Sequence, residues 1–171
     1  DFKKVTLYQI EEIQRIYKDP LMIRNSNKIH ACIYNAARFV EIINQYGSFQ
    51  KYLDSFDAKN SFENLLLLKE DLEGRFSYIG STTVYHFLTD LGFNVLKPDR
   101  VIMRIFKRLG LVSSEKQLLK AVLIGRKFAE SCNLPIRYID VILVKYGQLG
   151  ERKTFGLKNG LCRERSLKCD I

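Results

Sequence analysis

Long apolar runs are missing from this chain. The longest, such as Leu65–Leu68 and Val141–Val144, fall far short of the roughly 20 residues that a membrane-spanning helix needs. Cysteine is sparse: four in 171 residues are too few for a disulfide scaffold and point to a reducing compartment. Only two histidines occur, His30 and His86, and neither is spaced with Cys162 or Cys169 in a usual zinc-ligand pattern. The first residues show no basic-then-apolar leader pattern. Internal repeats and low-complexity tracts are absent. What remains is ordinary globular composition, 46% apolar and 27% charged, which excludes wholesale disorder and collagen-like repeats. The length suits one compact domain or two small lobes.

Positive charge is what the chain has in excess. Its formal net charge is +9, which favours the approach of a polyanion, nucleic acid above all. The surplus is localised. Pro98 to Lys127 holds eight basic residues against two acidic ones, and Lys145 to the end holds seven against three. The rest of the chain is close to neutral. A localised basic surface is what a phosphate-backbone binder requires.

Helix signals run the length of the chain. Thr6 to Gln9 has the form of a capping box, opening a helix that stops near Pro20. From Asn27 to Tyr46, Ile29, Ile33, Ala36, Val40 and Ile43 recur on one face, and Gly47 closes the helix. Ser48 and Ser61 are placed to cap two more. A Gly-containing turn from Phe76 to Thr83 opens a helix to Leu91, with Gly92 after it. Asp99 is placed to cap a helix ending at Gly110. Ser114 with Gln117 opens the next, and Pro135 opens the last, through Tyr146 with Gly147 as its stop. These signals predict about eight helices and an all-α fold: a helical bundle over 1–97, with a helix-hairpin-helix at about 64–91, and a basic helical lobe over 98–171.

Two segments carry candidate chemistry. Tyr78-Ile79-Gly80-Ser81-Thr82-Thr83 joins two helices, and such a turn presents successive backbone N–H groups at a helix N-terminus. These suit a phosphate without reading sequence, although most helix–Gly–helix turns are only turns. Lys97-Pro98-Asp99-Arg100 opens a helix bearing Arg100, Arg104, Lys107 and Arg108. Asp99 is either an N-cap or a carboxylate beside bound DNA, able to stabilise an oxocarbenium-like sugar or orient water.

Together, the hairpin Phe76-Ser77-Tyr78-Ile79-Gly80-Ser81-Thr82-Thr83-Val84 and Pro98-Asp99 resemble the helix-hairpin-helix DNA glycosylases, the superfamily of endonuclease III. Tyr78 stands where that family's hairpin has its first glycine. Leu21 to Ile29, Ala31, Asn35-Ala36 and the stretch from Phe76 to Leu88 are similar to the 3-methyladenine DNA glycosylase I branch. The resemblance covers about residues 1–146. It implies a glycosylase of base-excision repair that acts on duplex DNA and releases a damaged base, an alkylated purine, from a flipped-out nucleotide. Asp99 would be the catalytic carboxylate. Tyr78, Ile79, Gly80, Ser81 and Thr82, with Arg100, Arg104 and Lys107, would hold the DNA backbone. Thr82 occupies the position of the lysine of bifunctional members, and a hydroxyl cannot form a Schiff base. The resemblance therefore implies a monofunctional enzyme without lyase activity.

Alkylated purines are already cationic, so a shaped aromatic pocket and modest acid-base help suffice. Arg24, Asn25, Tyr34, Tyr85 and His86 are candidate pocket residues, with Tyr78, Phe87 and Phe93 as further aromatic walls. Each also has an ordinary structural explanation: aromatic core packing, a satisfied helix histidine, or a cap at Arg24–Asn25. In the alkyladenine branch the pocket's aromatic and acidic residues would lie upstream of Asp1, so a shortened protein or a fragment is expected. At the other end, Cys162 and Cys169 match the opening of the four-cysteine pattern that binds a [4Fe–4S] cluster in endonuclease III relatives. A cluster is expected only where the natural chain continues past Ile171, and no cofactor is expected on these residues alone. Cys32 and Cys132 are expected to be buried thiols. The partner implied is DNA and not a membrane, the protein monomeric, the compartment cytoplasmic or nuclear. The alternative is a non-catalytic helix-hairpin-helix DNA-binding module; a helical interaction domain with incidental charge is a third option.

Overall fold

The structure, a computed structural model, describes residues 1–22 and 24–148. Among these residues it is all-helical, with nine helices and no strand. They are α1 (Phe2–Val5), α2 (Ile10–Lys18), α3 (Ser26–Tyr46), α4 (Phe49–Asp54), α5 (Phe62–Arg75), α6 (Thr83–Asp90), α7 (Arg100–Arg108), α8 (Leu118–Cys132) and α9 (Ile136–Gln148). They fall into two compact units that divide within α6, between Val84 and Tyr85. None of the described helices is long and apolar enough to cross a membrane.

Side chains close the helix starts as the sequence predicts. An isolated helix start leaves four N–H groups without partners. Asn25 Oδ1 accepts from Lys28 N (3.1 Å), Ser48 Oγ from Lys51 N (3.0 Å) and Ser61 Oγ from Asn64 N (3.2 Å). Each such cap contributes about 1 kcal/mol. Gly47 ends α3 at φ +84°, in the left-handed region that glycine tolerates best, with its N–H on the Ile43 carbonyl.

Three boundaries differ from expectation. Thr6 opens nothing: it ends the additional short helix α1, donating its hydroxyl to the Lys3 carbonyl. The capping box lies three residues on, where Gln9 N donates to Glu12 (2.8 Å) and Glu12 is held below the usual carboxylate range by that bond. Ser114 and Gln117 form no box either, because the Gln117 side chain turns back to accept from Ser113 N (2.9 Å). Gly147 is no stop. It sits inside α9, buried against Val101 and Ile105, where the absence of a side chain lets α7 and α9 approach closely.

The first unit is built around α3, which packs against α1, α2 and α4. Ala31 and Ile42 are buried as well as Ile29 and Ala36, so α3 is covered on more than its predicted face. An aromatic chain runs through the unit, from Phe2 to Phe39, then to Phe49 and Phe76, and on through Tyr52 to Phe56. Tyr52 is fully buried and donates to Asp71 (2.7 Å), which also accepts from Arg75 Nε. Burial and this acceptor push the Tyr52 hydroxyl far above its usual range, so it stays a donor and ties α4 to α5.

In the second unit α7 is the central element. Val101, Ile102, Met103, Ile105 and Phe106 are all buried, packed with Leu96, Val112, Ala121, Ala129, Ile136 and Ile139. Gly125 of α8 admits Leu96: a Cβ there would lie 2.5 Å from Leu96 Cδ2 and 2.9 Å from its Cβ. Gly-to-Ala inside a helix normally stabilises by about 1 kcal/mol. At this position overpacking reverses the sign. Gly125→Ala is expected to lower the unfolding free energy by about 1–3 kcal/mol in urea titration, and a gain would contradict the packing described.

Candidate functional site

The hairpin follows directly from α5. Phe76 caps that helix and is buried. Tyr78 then adopts φ +64°, a left-handed conformation rare for a bulky residue. Tyrosine thus takes the conformation that glycine would supply at this point of the turn. Asn35 of α3 holds the turn from one side. Its Nδ2 donates to the Ser77 carbonyl (2.9 Å) and its Oδ1 accepts from Ser77 N (2.8 Å). One amide side chain thereby satisfies both backbone groups of Ser77, as a neighbouring strand would. The first helical bond beyond the turn runs from Val84 N to the Gly80 carbonyl (2.9 Å). The amides of Ser81, Thr82 and Thr83 precede it, at the start of α6. Gly80 and Ser81 are exposed, Ile79 and Thr82 are half-buried, and Tyr78 projects outward.

Beside the hairpin, in the same unit, Tyr34, Gly74, Arg75, Phe76 and Ser77 line an open cavity of about 250 Å³. The Arg38 guanidinium lies 5.0 Å from the Tyr34 ring centre. Of the five candidate pocket residues, Tyr34 is the one on this cavity. Arg24 is exposed and Asn25 is engaged as the α3 cap. In the second unit Tyr85 and Phe93 are buried and Phe87 is half-buried. His86 is exposed on α6, 3.2 Å from Asp90.

Asp99 caps α7. Its Oδ1 accepts from Val101 N (2.9 Å) and Ile102 N (3.1 Å), and its Oδ2 lies 3.4 Å from Lys97 Nζ. The carboxylate is partly exposed, so one oxygen is anchored and the other faces an ammonium. Arg100 and Lys107 are exposed two turns apart on α7. Arg104 is drawn inward instead, donating to the Gly147 carbonyl of α9 (3.0 Å), with its Nε buried and without a partner.

Asp140 of α9 was not singled out from the sequence, although an acid inside the apolar run Ile139-Asp140-Val141-Ile142 was a visible signal. It is the buried charged residue of the described chain, 2% exposed. Its Oδ2 accepts from Arg137 (2.8 Å), while its buried Oδ1 has no hydrogen-bond partner. Burial raises its carboxyl above the usual range, Lys97 and Arg137 oppose that rise, and the Asp99 charge adds to it.

Among the described residues no cluster of three His, Cys, Asp or Glu side chains could hold a metal ion. The two candidate cluster ligands, Cys162 and Cys169, lie outside the described residues. Cys32 and Cys132 are exposed, not buried as expected. In the early turns of α3 His30, Cys32 and Tyr34 are exposed while Ile29 and Ala31 are buried, and Cys132 ends α8 next to an exposed Asn133.

These residues form an all-helical chain with a turn held by Asn35 and an aspartate that caps α7. Residues 1–73 match the methyladenine glycosylase family. The match spans α1 to most of α5, including Asn35, and stops short of the hairpin turn. It supports a DNA glycosylase role in repair. No solved structure matches the chain. Asn35 is the contact on which the hairpin's geometry turns. Asn35→Ala strands both backbone groups of Ser77 and is expected to cost about 1–3 kcal/mol, with faster amide exchange from Ser77 to Thr82. Unchanged exchange there would contradict the clamp.

Proposed function

We propose that this protein is a monofunctional DNA N-glycosylase that releases a damaged base, an alkylated purine, from a flipped-out nucleotide in duplex DNA. The observation that carries this reading is the family match over residues 1–73. The hairpin and Asp99 support it from outside the matched residues. In this reading the N–H groups from Tyr78 to Thr82 hold the DNA phosphates. In the second unit, Arg100 and Lys107, exposed on α7, offer charge for phosphates of the same polyanion. Arg104, already bonded to Gly147, contributes less.

Asp99 is the catalytic carboxylate. Its Oδ1 is anchored by two backbone N–H groups, so Oδ2 is oriented before substrate arrives. It stabilises the oxocarbenium-like sugar as the glycosidic bond breaks and the purine leaves with the bonding electron pair. Water adds to C1′ and gives up a proton, leaving an abasic site. An alkylated purine carries its positive charge into the reaction and departs neutral, which lowers the demand for acid catalysis. Thr82 cannot form a Schiff base, so the strand is not cleaved. The protein acts as a monomer, in the cytoplasm or nucleus.

The engagement of Asp99 as a helix cap favours a second reading, a non-catalytic DNA-binding module. Chemistry separates the two. Single-turnover incubation with duplexes carrying 3-methyladenine or related lesions is expected to release free base, with strand breakage only after alkali and no borohydride-trapped adduct. Asp99→Asn is expected to slow release by about 100-fold or more. Retained activity would remove Asp99 from its role, and salt-dependent binding without base release from any lesion would favour the module.

A further inference from the structure

The turn from Phe76 to Thr83 places two residues against the preference of its own backbone. Tyr78 adopts φ +64°, where a Cβ crowds the following carbonyl and glycine would be relaxed. Two residues on, Gly80 lies outside the left-handed region. Among the described residues, a Cβ built on Gly80 would meet no atom within 4 Å. The fold would thus accept glycine at 78 and a side chain at 80, and the chain has the reverse. Packing does not account for Tyr78. It is 51% exposed, and among the described residues it forms no ring contact, cation–π pair or side-chain hydrogen bond. Its backbone is nevertheless held, because Asn35 bonds both backbone groups of the preceding Ser77 (2.9 and 2.8 Å). No acidic residue occurs from Phe76 to Thr89, so nothing on the turn's own sequence repels a polyanion. A bare aromatic face, a cleared glycine and an uncharged turn match what an opened duplex presents: a phosphate, and beside it a base with an uncovered face.

We propose that Tyr78 is a positioning residue for damaged DNA: its ring stacks on a base left uncovered where the duplex opens, while Gly80 leaves room for the neighbouring phosphate at the backbone. Extruding a nucleotide strips stacking from its neighbours and costs free energy. An aromatic ring laid on the uncovered face restores part of that loss, whatever the base, because every base has a π-face. An intact duplex offers no such face. Tyr78 therefore favours opened DNA over intact DNA, whereas backbone amides on phosphates hold both alike. The side chain that strains the turn is in this way the one that tells the two forms of DNA apart. This role rests on the reading that the turn holds DNA, and it stands whether or not a base is released.

Equilibrium binding of the full chain to two duplexes of one sequence, one intact and one carrying an abasic-site analogue, tests the proposal. Tyr78→Gly is expected to weaken binding to the abasic duplex by about fivefold or more and to leave binding to the intact duplex unchanged. Tyr78→Phe keeps the ring and is expected to bind both as the wild type does. The Tyr78 ring protons, assigned by their absence from the Tyr78→Phe spectrum, are expected to move upfield when the abasic duplex is added, as the base's ring current covers them. In urea, the Tyr78→Gly midpoint is expected to equal or exceed that of the wild type, because the strain is relieved. A lower midpoint, an equal loss on both duplexes or unmoved ring protons overturns the proposal. Wild-type protein that binds neither duplex removes the DNA reading and this proposal with it. Wild-type protein that binds both, with Tyr78→Gly binding equally well, removes the proposal alone.

Discussion

Every helix must dispose of the N–H groups at its start and the carbonyls at its end, and in a chain of short helices that obligation recurs every dozen residues. Here side chains meet much of it. Asn25, Ser48, Ser61 and Asp99 each accept from backbone N–H groups at the head of a helix, and Arg104 donates to a carbonyl near the end of α9. Most of these ends are only structural. The start of α6 is different. Its first amides follow a turn in which Asn35 satisfies both backbone groups of Ser77.

The same bonding that stabilises also restricts chemistry. Asp99 spends one oxygen on the α7 amides and turns the other toward Lys97, so its orientation comes from the fold. Arg104 shows the opposite outcome. Its place on the basic stripe of α7 suggested a phosphate contact, but α9 approaches so closely at Gly147 that the guanidinium serves a carbonyl there. The exposed basic surface of α7 therefore narrows to Arg100 and Lys107. Tyr78 shows how a departure from a motif is absorbed: the backbone keeps the left-handed turn and the side chain projects into solvent.

Local chemistry was legible in the sequence and distant pairing was not. The caps at Ser48, Ser61 and Asp99, the left-handed Gly47 and the all-helical class follow from rules spanning three or four residues. The errors arose where a partner far along the chain decides. Gly147 has the look of a helix stop, and only the proximity of Val101 explains why it is a packing position inside α9. Asn35 lies 42 residues from Ser77, so nothing nearby announces its role as a clamp. Asp140 was visible as an acid in an apolar run, but its burial exists only once α9 packs against α7 and α8. Thr6 failed for the opposite reason, since Gln9 with Glu12 offers a competing box three residues away.

The claim that joins fold to function is that the head of α6, framed by Asn35, is where DNA phosphates are held. Backbone amide shifts in the full chain, followed by NMR during titration with a duplex carrying an abasic-site analogue, test it directly. The amides from Tyr78 to Thr82 are expected to shift together, with the effect weakening as salt rises. Saturable binding that leaves those amides unmoved would contradict it.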